Sequence, residues 1–216
     1  MKRLVLFLLV LTACKKDTVV QVEQPEILDV EKFTKVENPS ILLSLKPTAA
    51  FDYVELRMSS GRGPEGNELY FVRASVGNIT ELEGTCLDMF NQTPVQEQGF
   101  AGDCTPICYF NYVIAAKGNS DVAIYNSLPA LKSFLGEIDS ESDAALTVIA
   151  NGYEFDFNKK AVAGVRKVND GYEVLCKKRV KSCNPVQYDQ FWLKVSTDGI
   201  ITIKQEILYS TLDACI

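Results

Sequence analysis

Histidine is absent from all 216 residues. Without an imidazole the chain cannot build Ser-His-Asp or Cys-His nucleophile systems or histidine zinc sites, and it lacks the commonest general base. What survives is paired carboxylates, Ser-Lys dyads, tyrosine chemistry or all-oxygen cation sites. Long apolar runs are also missing. The longest, Leu4–Leu11 (LVLFLLVL), falls far short of the roughly 20 residues that span a bilayer. Positive charge is scarce: the chain carries 22 Lys and Arg against 28 Asp and Glu, a net charge of −6. With no basic stripe, nucleic acid and anionic headgroups are disfavoured as partners.

The remaining composition is that of a globular domain, 47% hydrophobic and 10% aromatic. Its N-terminus is more specific. Lys2 and Arg3 precede the short apolar run, and small residues follow at Thr12 and Ala13. That order describes a secretory signal, not a structural helix. The ending Leu11-Thr12-Ala13-Cys14 resembles the lipobox of bacterial lipoproteins. The resemblance implies cleavage before Cys14, lipid on its thiol and an acylated new N-terminus. Residues 1–13 are then a signal peptide, 14–27 a lipidated cysteine with a flexible tether, and 28–216 one domain. The linker from Lys15 to Pro25 would reach on the order of 30 Å when extended. Asp17-Thr18-Val19 within it resembles an O-glycosylation motif of Gram-negative envelope proteins. Lys15 after the cysteine resembles lipoproteins sent to the outer membrane, so the expected location is its periplasmic leaflet.

Besides Cys14, the cysteines are Cys86, Cys104, Cys108, Cys176, Cys183 and Cys215. An even set in an oxidising compartment points to disulfides. Cys176 and Cys183 flank KKRVKS, and a bridge there would close a loop of about eight residues and contribute about 2.5 kcal/mol. Cys215 is expected to staple the C-terminus to Cys86, Cys104 or Cys108. Cys104 and Cys108 form C-x₃-C, neither a redox nor a zinc spacing. No metal or cofactor is expected. The acidic group Glu137, Asp139, Glu141, Asp143 reads as a helix start, with Ser140 and Asp143 spaced as a capping box. The glycine-rich Ser60–Gly66 lacks the Gly-Lys-Ser/Thr ending of a phosphate loop and reads as a hairpin loop.

Periodicity predicts an α+β fold. Asp52–Met58 and Glu68–Val76 read as a hairpin, and Tyr109–Ala116 with Val122–Tyr125 as a second. Two helices follow, capped by Ser127 and Ser140 and stopped at Gly136 and Gly152. A C-terminal meander turns at Asn169-Asp170-Gly171 and Thr197-Asp198-Gly199. Ser40–Lys46 is ambiguous between helix and strand. Phe191, Leu193 and Val195 share one strand face and Ile201, Ile203 and Ile207 another; both should bury against the helix pair, with sheets on either side.

The opposite face of Gln187–Val195 carries Tyr188 and Trp192, the sole tryptophan. Three functions follow. The first is a lipid-anchored envelope protein with a non-catalytic binding or structural role, held to the membrane by its lipid and meeting an envelope protein or glycan. The second is a glycan- or small-molecule-binding module using Tyr188 and Trp192. The third is a carboxylate-dependent glycan hydrolase, which needs two carboxylates about 5 or 6.5–9.5 Å apart across a cleft.

Overall fold

The computed structural model describes residues 27–38, 40–62, 68–104, 108–118 and 121–215. The fold is α+β, with two five-stranded antiparallel sheets. In the first sheet β1 (Thr34–Lys35), β7 (Gly164–Val168), β8 (Gly171–Ser182), β9 (Val186–Ser196) and β10 (Ile201–Leu212) lie side by side in that order. In the second, β3 (Glu68–Gly77), β2 (Tyr53–Arg62), β5 (Cys108–Lys117) and β4 (Phe100–Cys104) are neighbours. β6 (Asp121–Tyr125) also pairs with β5, beyond the stretch that β4 occupies. Among the described residues three α-helices complete the fold: α1 (Gly84–Asn91), α2 (Leu128–Leu135) and α3 (Glu141–Ala150).

Helix α3 touches β7, β8 and β9 of one sheet and β4 of the other. Every residue from Ser142 to Ala150 is buried. Ala144, Ala145 and Ala150 keep it slim enough to lie between two sheets. A helix end out of water must satisfy its free N–H groups internally. Ser140 Oγ accepts from Asp143 N at 3.0 Å, and Asp143 Oδ2 accepts from Ser140 N at 3.0 Å, completing the capping box expected from the sequence. Asp143 Oδ1 accepts from Lys46 N, and Ser142 exchanges hydrogen bonds with Ser44. The ambiguous Ser40–Lys46 stretch is therefore neither strand nor α-helix. It makes a 3-10 turn at Ser40–Leu42 and then runs across the start of α3. In α2, Ser127 caps as expected, and Leu131, Phe134 and Leu135 join the central core.

The continuous apolar run Tyr112–Ala116 is buried on both faces of β5. Val113 and Ala115 face the central core, while Ile114 and Ala116 pack under Cys86 and Phe90 of α1. In the other sheet Phe191, Leu193 and Val195 are buried as expected. The matching expectation for β10 fails. Ile201 packs against the core, but Ile203 is 50% and Ile207 43% exposed. β10 is an edge strand with a register shift between Ile203 and Gln205. Ile203 thus opposes Leu193 on the core side, and Ile207 opposes Gln190 on the outer side. One extra residue reverses the alternation on which the shared face depended. The hairpin turn Asn169-Asp170 forms as read, and Gly171 after it, at φ +125°, is obligatory. A Cβ there would lie 2.1 Å from the carbonyl oxygen of Val195.

Replacing Ser140 with Ala removes a buried cap and is expected to cost about 1 kcal/mol, read as a lower urea midpoint at unchanged slope.

Candidate functional site

The outer face of the first sheet is where the sequence placed an aromatic binding surface. Trp192 is 2% exposed and offers no platform. Its Nε1 donates to Glu173 Oε2 at 2.9 Å. Phe33 meets the ring edge-on at 6.5 Å between centroids, and Leu28 and Val30 pack beside it. The Lys204 ammonium sits 3.9 Å over the ring. Glu173, itself buried, also accepts from Arg166 Nε at 2.7 Å and Lys204 Nζ at 2.7 Å. Gly164 leaves room for this cover, since a Cβ there would stand 3.1 Å from Phe33 Cβ. The residues that hide Trp192 come from the start of the domain, so no property of β9 could reveal them. Tyr188 is half-buried under the Lys177 ammonium, 5.0 Å from its ring centre. The joint Tyr188–Trp192 face is therefore not formed.

The cysteines pair differently from the expectation. Cys183 is bonded to Cys215, with Cα atoms 4.0 Å apart, and Asn184 N donates to the Ala214 carbonyl beside the bridge. The C-terminus is stapled, but to Cys183. Cys176 is free and buried in the core, and burial pushes its thiol well up. A Cys176–Cys183 bridge is ruled out because β8 runs extended to Ser182. Seven residues of strand separate the two by about 23 Å. Cys86 is also free, buried in α1 beside the Asp121 carbonyl. Cys104 and Cys108 are directly opposite in the β4–β5 register. Cys14 and Thr18 lie outside the described residues. Of the acidic group, Asp143 serves α3, while Glu137, Asp139 and Glu141 are exposed. Among the described residues no three Cys, Asp or Glu side chains converge as a metal site would require.

A different cluster emerges where α3 ends. A cleft of about 280 Å³ lies between the inner face of the second sheet and the chain leaving α3. Met58, Arg73, Asn111 and Tyr109 line it from the sheet, and Tyr153 and Glu154 from the other side. Arg73 is there because of a bulge. Leu56 opposes Ala74 and Arg57 opposes Val72, so Arg73 is the extra, unpaired residue of β3. Simple alternation would send Arg73 to the face opposite Ala74; the bulge turns it toward the cleft. Its Nη1 donates to Asn111 Oδ1 at 2.9 Å, and among the described residues it has no ion pair. Desolvation lowers the Arg73 pKa, and the nearby Glu154 charge only partly offsets this. A smaller cavity of about 170 Å³, toward Asn38, Leu56 and Phe157, lies on the other side of Arg73.

The contrast with Arg57 and Arg166 is chemical. Arg57 Nε lies 2.6 Å from Glu55 Oε2, and the guanidinium stacks on Tyr70 and Phe90. Arg166 is paired with Glu173 and lies over Phe33. Both are structural pairs sealed under other parts of the chain. Arg73 has an amide where those two have a carboxylate, and it faces open volume. No sequence signal could have singled it out, because the bulge that turns it is set by pairing with β2.

Two outcomes test this description. Glu173→Leu, which removes the carboxylate shared by Arg166 and Lys204, is expected to cost about 3 kcal/mol in denaturant melts and to red-shift the Trp192 emission. The Cys183→Ser, Cys215→Ser double variant opens a loop with a sequence separation of 32 and is expected to lose about 3.7 kcal/mol. Set against known proteins, the chain matches no family model, no curated protein and no solved structure.

Proposed function

We propose that this chain is a lipid-anchored protein of the bacterial cell envelope, in the outer membrane facing the periplasm, with a non-catalytic binding or structural role. The observation that carries the reading is the sequence Leu11-Thr12-Ala13-Cys14 behind a short basic-then-apolar start. Two acyl chains suffice for stable anchoring, at about 0.8 kcal/mol for each buried methylene. The fold is compatible with that attachment. Ile27, the first described residue, is 89% exposed, and the segment that follows is pinned over Trp192. A tether joined at Ile27 would leave the domain beside the segment that covers Trp192. The Cys183–Cys215 bridge suits an oxidising compartment.

The binding half of the role is supported by the Arg73 cleft rather than by Tyr188 and Trp192. A half-buried guanidinium that faces a cleft without a carboxylate partner is suited to an anion.

Expression of the full chain in a Gram-negative host, with fractionation and intact-mass measurement, tests the anchor. The expected result is a membrane-bound product starting at Cys14 and carrying diacylglyceryl and acyl mass, with Cys14→Ala abolishing the lipid and the cleavage. A wild-type product that keeps Met1, or that starts beyond Cys14 without acyl mass, overturns the reading.

A further inference from the structure

The cleft beside α3 has the parts of a small-anion site. Arg73 presents a half-buried guanidinium whose one hydrogen-bond partner among the described residues is the Asn111 amide oxygen. Asn111 spends that oxygen on Arg73, so its amide N–H groups remain available as further donors. Tyr109 and Tyr153 line the same volume. From the sheet the guanidinium meets the Asn111 amide oxygen, and Met58, Ala101 and Tyr109 complete the lining on that side. The single opposing charge is Glu154, exposed at the rim and too far from Arg73 for an ion pair.

From these positions we infer that the cleft binds an organic monocarboxylate through Arg73 and Asn111, with its apolar body against Met58, Tyr109 and Tyr153. A planar carboxylate accepts two parallel bonds from the guanidinium fork. Glu154 sets the charge. With Arg73 in the cleft and the Lys178 ammonium over Tyr153, the Glu154 carboxylate at the rim disfavours a second negative charge on the ligand. The volume, about 280 Å³, suits a ligand the size of a small aromatic or aliphatic acid. Tyr153 is held for this role: its ring packs edge-on against Phe191 at 5.1 Å, under the Lys178 ammonium. The inference deepens the binding role proposed above and does not depend on the lipid anchor.

The test uses the full mature protein in detergent, titrated by calorimetry and by NMR of the Arg73 Nε–H and the Ile149 methyl groups. The probes are phenylacetate, its neutral isostere phenylacetamide, and inorganic phosphate. Phenylacetate is expected to bind saturably at millimolar or lower concentration and to shift both signals. Phenylacetamide and phosphate are each expected to bind at least tenfold more weakly. Arg73→Gln should weaken phenylacetate at least tenfold with a native circular dichroism spectrum. Glu154→Gln alters only an exposed side chain, so it keeps the test intact if Arg73→Gln does not fold. It should tighten phenylacetate severalfold by removing the rim anion. Equal binding of phenylacetate and phenylacetamide, no saturable phenylacetate binding, or Glu154→Gln leaving affinity unchanged or weaker overturns the inference. Loss of phenylacetate binding in a membrane-anchored, lipidated protein defeats this inference alone. A non-lipidated product that still binds phenylacetate defeats the anchor alone.

Discussion

One helix buried on all sides organises this molecule. Helix α3 has sheet on two sides, and the Ser40–Lys46 segment crosses its start. A helix in that position can carry no bulky polar side chain along its length and cannot leave its first N–H groups to water. Both demands are met by its composition: small residues at Ala144, Ala145 and Ala150, and a capping box whose Asp143 also receives a backbone N–H from Lys46. The separation of the two sheets follows from the thickness of this helix. Where α3 stops at Ala150, the chain turns away through Gly152 at φ +81°. Nothing of equal thickness fills the gap between Ile149 and the inner face of β2, β3 and β5, and that gap is the Arg73 cleft.

The outer faces of both sheets are closed by the same chemical device. On one, Glu55 holds Arg57 against Tyr70 and Phe90, with Tyr53 donating to the same carboxylate at 2.8 Å. On the other, Glu173 holds Arg166 against Phe33 and takes the Trp192 N–H. Burying a charge is tolerable when its partner and its remaining hydrogen bonds are supplied together, and both clusters supply them. These two clusters define what a structural arginine looks like in this fold. Arg73 departs from the pattern in its partner, its bulged backbone and its open surroundings.

Much of the fold is legible in short stretches of sequence. Ser127 and Ser140 cap the helices they precede, and Asn169-Asp170 makes the hairpin it announces. The run Tyr112–Ala116 reads as the apolar strand it is, and Cys215 ties down the C-terminus. Each of these depends on groups a few residues apart, or on proximity to a chain end. The failures share a cause as well. A strict period of two gives Ile203 and Ile207 one face, and a single bulged residue reverses it. Cys176 and Cys183 are close in number but distant in space, because the strand between them stays extended. The strands Thr34–Lys35 and Phe100–Cys104 are too short or too irregular to show a period.

Sequence alone determined the α+β class, the helix caps, the tight turns and the apolar faces of the central strands, since these rest on backbone and side-chain preferences acting within a turn or two. Tertiary structure decided the rest. Whether Trp192 is a platform or a floor depends on Phe33 and Leu28, from the opposite end of the domain. Whether Arg73 faces solvent or a cleft depends on a register set by β2. Burial is a property of what arrives to cover a surface, and the covering residues here are far along the chain from the residues they cover.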